Sequence, residues 1–159
     1  MSTTPMVEFP FSNRQELNAY LPYLVNRISK YWTSEQGEAL AKLGISNTQM
    51  RILSCLAAAG ELTINELSEL SVTEQSTTSR TVENLVEAGL VLRHIGDTDQ
   101  RLRRVRLSAK GHKQLAAMAP TVNGLYHQFV GQIDEEALRA CVETLKTILD
   151  QASGGKAPD

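Results

Sequence analysis

Apolar side chains recur every three or four positions between Asn13 and Trp32, at Leu17, Tyr20, Leu21, Leu24, Ile28, Tyr31 and Trp32. That spacing gathers them on one face of a helix. Pro22 interrupts the run and leaves two readings open. The helix kinks there, or a short turn ends and the main helix starts at the proline. A second stretch, Glu35 to Leu43, is closed by Gly44.

Ser46 suits the N-cap of the next helix, which carries Met50, Leu53, Leu56 and Ala57 on one face and stops at Gly60. Glu61-Leu62 leaves room only for a strand fragment. Thr63 and Glu66 have capping-box spacing and predict a short helix through Leu70. After Ser71-Val72, Thr73 is the expected cap of another helix that runs to Ala88 and stops at Gly89. Two helices joined by a turn of three or four residues occur in many proteins, so this pair alone says little about function.

The next segment is more specific. Leu90 to Ile95 reads as a strand, Gly96-Asp97-Thr98-Asp99-Gln100 has turn chemistry, and Leu102 to Leu107 alternates as a second strand. A two-stranded ribbon directly after a helix-turn-helix makes a winged helix. Ser108 then caps a long helix with Leu115, Met118, Val122, Leu125, Tyr126, Phe129 and Ile133, which Pro120 should kink. Asp134 starts a last helix with Leu138, Cys141, Leu145, Ile148 and Leu149. The expected fold is mainly α with a small β-wing. A winged helix-turn-helix at 45–111 lies between helical segments at 1–44 and 112–152, and 153–159 has the composition of a disordered tail.

Net charge over 159 residues is −2, which argues mildly against indiscriminate nucleic-acid binding. Its distribution changes the picture. Arg93 to Lys113 holds seven bases and two acids, a net +5, so the remainder carries −7. A basic segment on an acidic body is the footprint of a local phosphate-binding surface. On a wheel of Thr73 to Ala88, Thr78, Val82, Leu85 and Val86 face inward, and Ser76, Thr77, Arg80, Asn84 and Glu87 face outward. Short hydroxyls let a backbone approach the major groove, where an Arg can donate two bonds to guanine. Arg104 and Arg106 share a strand face opposite Val105 and Leu107, which makes them the candidates for phosphate, double-stranded DNA being the expected partner.

Other chemistries find little support. His94, His112 and His127 are scattered, none paired with a Cys or carboxylate as nucleophile and base. Cys55 and Cys141 lack metal-ligand spacing and read as two buried thiols. No glycine-rich phosphate loop appears, so neither an enzyme nor a cofactor or metal is expected. No apolar run reaches the roughly 20 residues that span a bilayer, and Met1 to Phe11 lacks a secretory pattern, so a cytoplasmic protein is expected. The remaining alternative is a winged helix that binds protein instead of DNA, for which an acidic or apolar wing would be expected.

Leu85-Val86-Glu87-Ala88-Gly89-Leu90-Val91-Leu92-Arg93 resembles the helix-to-strand junction of MarR-type regulators, the multiple-antibiotic-resistance repressor family. Asp99-Gln100-Arg101, five residues and then Leu107-Ser108 is similar to that family's wing signature of Asp-x-Arg with a closing Leu-Thr. Ser here replaces Thr and keeps the cap, and Gly111 stands where the family has its glycine. In motif the resemblance covers Ser46 to Gly111, and in architecture most of the chain.

The resemblance implies a cytoplasmic homodimer whose first and last helices pair. Leu17, Tyr20, Leu24, Ile28, Leu138, Leu145, Ile148 and Leu149 would otherwise leave a large bare patch. It implies that Arg101 enters the minor groove, where narrow A·T-rich DNA concentrates negative potential. Asp99 would hold Arg101. It also implies repression relieved by a small anionic or phenolic effector bound between the dimerisation helices and the winged domain. Tyr20, Tyr23, Arg27, Tyr31, Trp32, Met50 and His112 are the candidates there, able to hold an aromatic carboxylate. No Cys lies near the first helix, where the hydroperoxide-sensing branch keeps its thiol.

Overall fold

A computed structural model describes residues 7–95 and 103–154, without the side chains of Ile95 and Arg103. In chain order the elements are α1 (Arg14–Ala19), α2 (Leu21–Ala41), α3 (Asn47–Ala59), β1 (Glu61–Thr63), α4 (Ile64–Leu70), α5 (Gln75–Glu87), β2 (Val91–Ile95), β3 (Arg103–Leu107), α6 (Ala109–Val130) and α7 (Glu135–Ala152).

Pro22 starts a helix instead of kinking one. Tyr20 is extended (φ −80°, ψ 112°), and Pro22 sits in the first turn of α2, where its missing N–H loses no bond. The stretches on either side of Ser34 are then one helix of 21 residues. Pro120 leaves α6 continuous from Ala109 to Val130. Both Pro120 and Ala116 are exposed, so water can satisfy the carbonyl that the proline leaves without a donor.

The helix starts follow local chemistry. Ser46 and Gln49 form one capping box, Thr63 and Glu66 another. Thr73 does not cap α5. Its hydroxyl donates instead to the Ser71 carbonyl at 3.1 Å, and Glu74 takes the N-cap position without a side-chain bond.

The wing ribbon gains a third strand. β3 is central, pairing antiparallel with β2 (Val91 opposite Leu107) and with β1, where Glu61 faces Arg106 and Thr63 faces Arg104. Alternation turns Leu62, Val91, Val105 and Leu107 toward the core and leaves Glu61, Leu92, His94, Arg104 and Arg106 on the other face.

One buried cluster joins Leu40 of α2, Ile52, Leu53 and Leu56 of α3, Leu67 of α4, Val82 and Leu85 of α5, Val91, Val105 and Leu107 of the sheet, and Met118 of α6. Val86, expected inside, is 38% exposed. The start of α6 is fastened to the end of α5. Ser108 Oγ donates to the Gly89 carbonyl (2.6 Å) and accepts from the Gly111 N–H (3.0 Å), and Lys110 Nζ donates to the Ala88 carbonyl (2.7 Å). A Cβ on buried Gly111 would overlap the Leu90 carbonyl oxygen, so only glycine fits there.

α7 buries no residue. Its Val142, Leu145, Ile148 and Leu149 are exposed, as are Leu24, Val25, Ile28 and Tyr31 of α2 and Tyr126, Phe129 and Ile133 around the end of α6. Cys141 is exposed too, contrary to the expectation of a buried thiol, because among the described residues nothing covers α7. Cys55 is half-buried, and burial pushes its thiol above its ordinary value against a smaller opposing pull from Arg51. No helix among the described residues is long and apolar enough to cross a membrane.

Candidate nucleic-acid interface

α5 is positioned by its inner face. Thr78, Val82 and Leu85 are buried in the cluster, which fixes the rotation of the helix and turns Ser76, Thr77, Arg80, Asn84 and Glu87 to solvent. The outer face therefore holds small hydroxyls, an amide and one guanidinium, with two acids, Glu83 and Glu87, toward its C-terminal end. None of the first five side chains of α5 is acidic, but the exposed Glu74 at the N-cap places one carboxylate at the helix start.

In the sheet whose strand β2 packs against α5, Arg106 is exposed and Arg104 half-buried on the outer face of β3. Asp99 and Arg101 lie outside the described residues, as does the turn between β2 and β3. Two acids stand on the Arg104–Arg106 side, and sequence reading missed the part of one of them. Glu61 Oε1 of β1 lies 2.9 Å from His94 Nε2 of β2. Glu66 accepts from the Thr63 N–H at 2.7 Å, and that bond is the main reason its carboxyl is held below the ordinary range. The Thr63 hydroxyl comes second, and Arg104 adds a minor contribution. The basic face is thus trimmed by carboxylates that already have partners. Glu61 gave no sequence signal, because only the pairing of β1 with β3 brings it opposite Arg106.

The proposed effector residues do not converge on one place. Arg27 stacks over the Tyr23 ring at 5.6 Å, and Tyr31 and Tyr23 both favour its charged form. Tyr20 packs against Phe11 (5.0 Å) at the start of α2. Tyr31 and Trp32 line a hollow of about 320 Å³ between α2 and α6, with Glu35, Leu125, Gln128 and Phe129. Met50 belongs to a different hollow of about 490 Å³ between α3 and α6, with Ser54, Leu115, Met118 and Val122 among its walls. His112 is exposed on the first turn of α6 and lines neither. The seven do not share a cavity: Tyr23, Arg27, Tyr31 and Trp32 are spread along α2 with Tyr20 at its N-cap, Met50 lies on α3 and His112 on α6. Glu35 also makes the first hollow less suited to a carboxylate than the aromatics alone suggested. Among the described residues no cluster of three His, Cys, Asp or Glu could hold a metal.

Residues 45–102 match the sequence model of the MarR family. A MarR family transcriptional regulator from Silicibacter pomeroyi DSS superposes with a TM-score of 0.87 at 46% identity, covering 92% of this chain and 99% of that one. An uncharacterized HTH-type transcriptional regulator of Bacillus subtilis, YwoH, is 29% identical over 98 residues, 62% of this chain and 71% of its own. The Staphylococcus aureus MepR–DNA complex shares the fold, with a TM-score of 0.73 at 23% identity over 83% of this chain and 96% of that one. The similarity to the Silicibacter protein runs almost end to end, beyond the winged helix to both flanking helical segments, and the chain belongs to the MarR family of DNA-binding transcription regulators, which are not enzymes.

Proposed function

We propose that this chain is a homodimeric, cytoplasmic repressor that reads a pseudo-palindromic operator in double-stranded DNA and releases it when a small effector binds. Residues 45–111 form the DNA-binding unit, and 1–44 with 112–152 form the dimer. Ser76, Thr77, Arg80 and Asn84 meet the major groove, Arg80 as the residue able to fork onto guanine O6 and N7. Arg104 and Arg106 meet phosphates, and Arg101, supported by Asp99, enters the minor groove beside them. The carrying observation is the exposed polar face of α5 together with the basic outer face of β3, in the sheet whose strand β2 packs against α5.

Dimerisation is supported by α7, which with the bare apolar residues of α2 and α6 is far too apolar to stand in water alone. Two copies then present two α5 helices, so half-sites should lie about one helical turn apart. The effector reading is supported by the two hollows against α6, the one bordered by Tyr31 and Trp32 being suited to a flat aromatic molecule.

The test is selection of bound genomic fragments by the purified protein at about 150 mM salt, a physiological ionic strength. Recovery of a short pseudo-palindrome is expected. Recovery of no shared sequence by a folded dimer would overturn the operator reading and leave the basic wing to another partner.

A further inference from the structure

Val72 stands at the turn between α4 and α5 with φ +51°, the one left-handed residue that is not glycine among those described. A β-branched side chain is poorly accommodated there, because Cβ crowds the following carbonyl. The hydrogen bonds around it explain the demand for that conformation. The Val72 N–H donates to the Glu69 carbonyl (3.1 Å) and the Thr73 N–H to the Ser68 carbonyl (3.0 Å), the pair of bonds that closes a helix in the Schellman manner. Val72 occupies the position where such endings ordinarily place glycine, and its side chain is 82% exposed, so no packing compensates.

Something outside the turn must hold it. Arg51 reaches across from α3, and its Nη1 donates to the Ser71 carbonyl at 3.1 Å and lies 3.4 Å from the Val72 carbonyl. Ser71 itself is fully buried. Two residues after Thr73, α5 begins. We propose that Arg51 is a positioning residue for DNA recognition: it clamps the carbonyls of the α4–α5 turn, keeps Val72 left-handed, and so fixes where α5 starts relative to α3. Its Nη1 is taken up by these carbonyls, and it acts on the operator only through α5.

The inference rests on α5 being the DNA-reading helix, so its test uses two readouts. The first is affinity for the operator recovered by genomic selection, measured across a salt series for Arg51→Ala, Val72→Gly and the double variant. Arg51→Ala should lose about tenfold or more in affinity, with the slope of log affinity against log salt unchanged. Glycine adopts the left-handed conformation without help, so Val72→Gly should restore most of that loss in the double variant while changing the parent little. A slope reduced by about one, with no rescue, would make Arg51 a phosphate contact and overturn the proposal. Unchanged affinity in Arg51→Ala would overturn it as well. The second readout is amide exchange at Thr73, whose N–H is bonded to the Ser68 carbonyl, in the free protein, expected to accelerate in Arg51→Ala and to slow again in the double variant. It holds even if no operator is found, which separates failure of the clamp from failure of the DNA reading. Should Arg51→Ala unfold, Arg51→Met keeps the aliphatic stem and removes only the donors, and the same outcomes decide.

Discussion

His94 Nε2 and Glu61 Oε1 meet at 2.9 Å diagonally across the sheet, from β2 to β1 over the backbone of β3, where His94 is paired with Arg104 and Glu61 with Arg106. Each side chain is more than a third exposed, so the contact contributes at most about 1 kcal/mol to the fold. Its larger effect is on charge. A carboxylate placed among cations that face phosphate opposes DNA. Glu61→Gln should therefore strengthen binding to non-operator duplex about two- to fivefold at low salt, a consequence of phosphate electrostatics, and leave the melting temperature nearly unchanged. Equal non-specific affinity in the two proteins would show that this face does not meet the backbone.

Arg80 and Arg104 should separate sequence reading from phosphate contact. Arg80→Ala should change which fragments are selected, relaxing one position of the half-site by about 1–3 kcal/mol of discrimination. Arg104→Ala should weaken all sequences alike and reduce the salt slope by about one. If Arg80→Ala also weakens every sequence equally, Arg80 is a phosphate contact.

Gly111→Ala tests the junction between the wing and α6. The added methyl meets the Leu90 carbonyl oxygen and the Leu107 side chain, both held by neighbours. Destabilisation of about 1–3 kcal/mol or more is expected, the range for overpacking a core, read as a fall in the denaturant midpoint. Full stability would mean that β2 and α6 part more easily than their hydrogen bonds indicate.

Glu66 gives the acid limb of stability a named source. Its carboxyl titrates below the ordinary Glu value in the folded chain, chiefly because the Thr63 N–H binds the charged form. The stabilisation is therefore complete above the unfolded value, about pH 4.3, and is lost as pH falls through the lower folded value. Glu66 is mostly in water, so the effect stays under about 1 kcal/mol. Between pH 5 and about pH 3, a window set by the same reference value, the denaturant midpoint should drop less in Glu66→Gln than in the parent. Identical drops would remove Glu66 from the account.

Leu145→Glu places a charge on the apolar stripe of α7 without touching any buried residue. Light scattering should give the monomer mass, with helix content by circular dichroism preserved. A dimer mass would move the subunit contact away from α7.

The parts of the fold legible in the sequence were those decided within a few residues. Ser46 with Gln49, Thr63 with Glu66, and the stops at Gly60 and Gly89 are local hydrogen-bonding problems with local solutions. Thr78, Val82 and Leu85 were readable because a helix has one inner face. Glu61 was not, since its strand pairs with residues far along the chain, and neither was Val72, whose conformation depends on an arginine in another helix. Val86 and Cys141 were assigned to the interior for being apolar, yet burial needs a neighbour to cover them.

Leu40 and Met118, fully buried beside Val82 and Val105, carry a mechanical consequence. They belong to α2 and α6, the long helices that lead to the bare apolar surface, yet they sit in the same cluster that holds α5 and the sheet. No flexible joint separates the reading head from its arm. Over a rod about 30 Å long, the span of α2 at 1.5 Å per residue, a tilt of about 5° at one end moves the other by about 3 Å. That is close to one base-pair step of about 3.4 Å. In the dimer proposed above, register on the operator would be governed by leverage, and side chains far from any base, at the outer ends of α2 and α6, would set which half-site spacing the protein accepts.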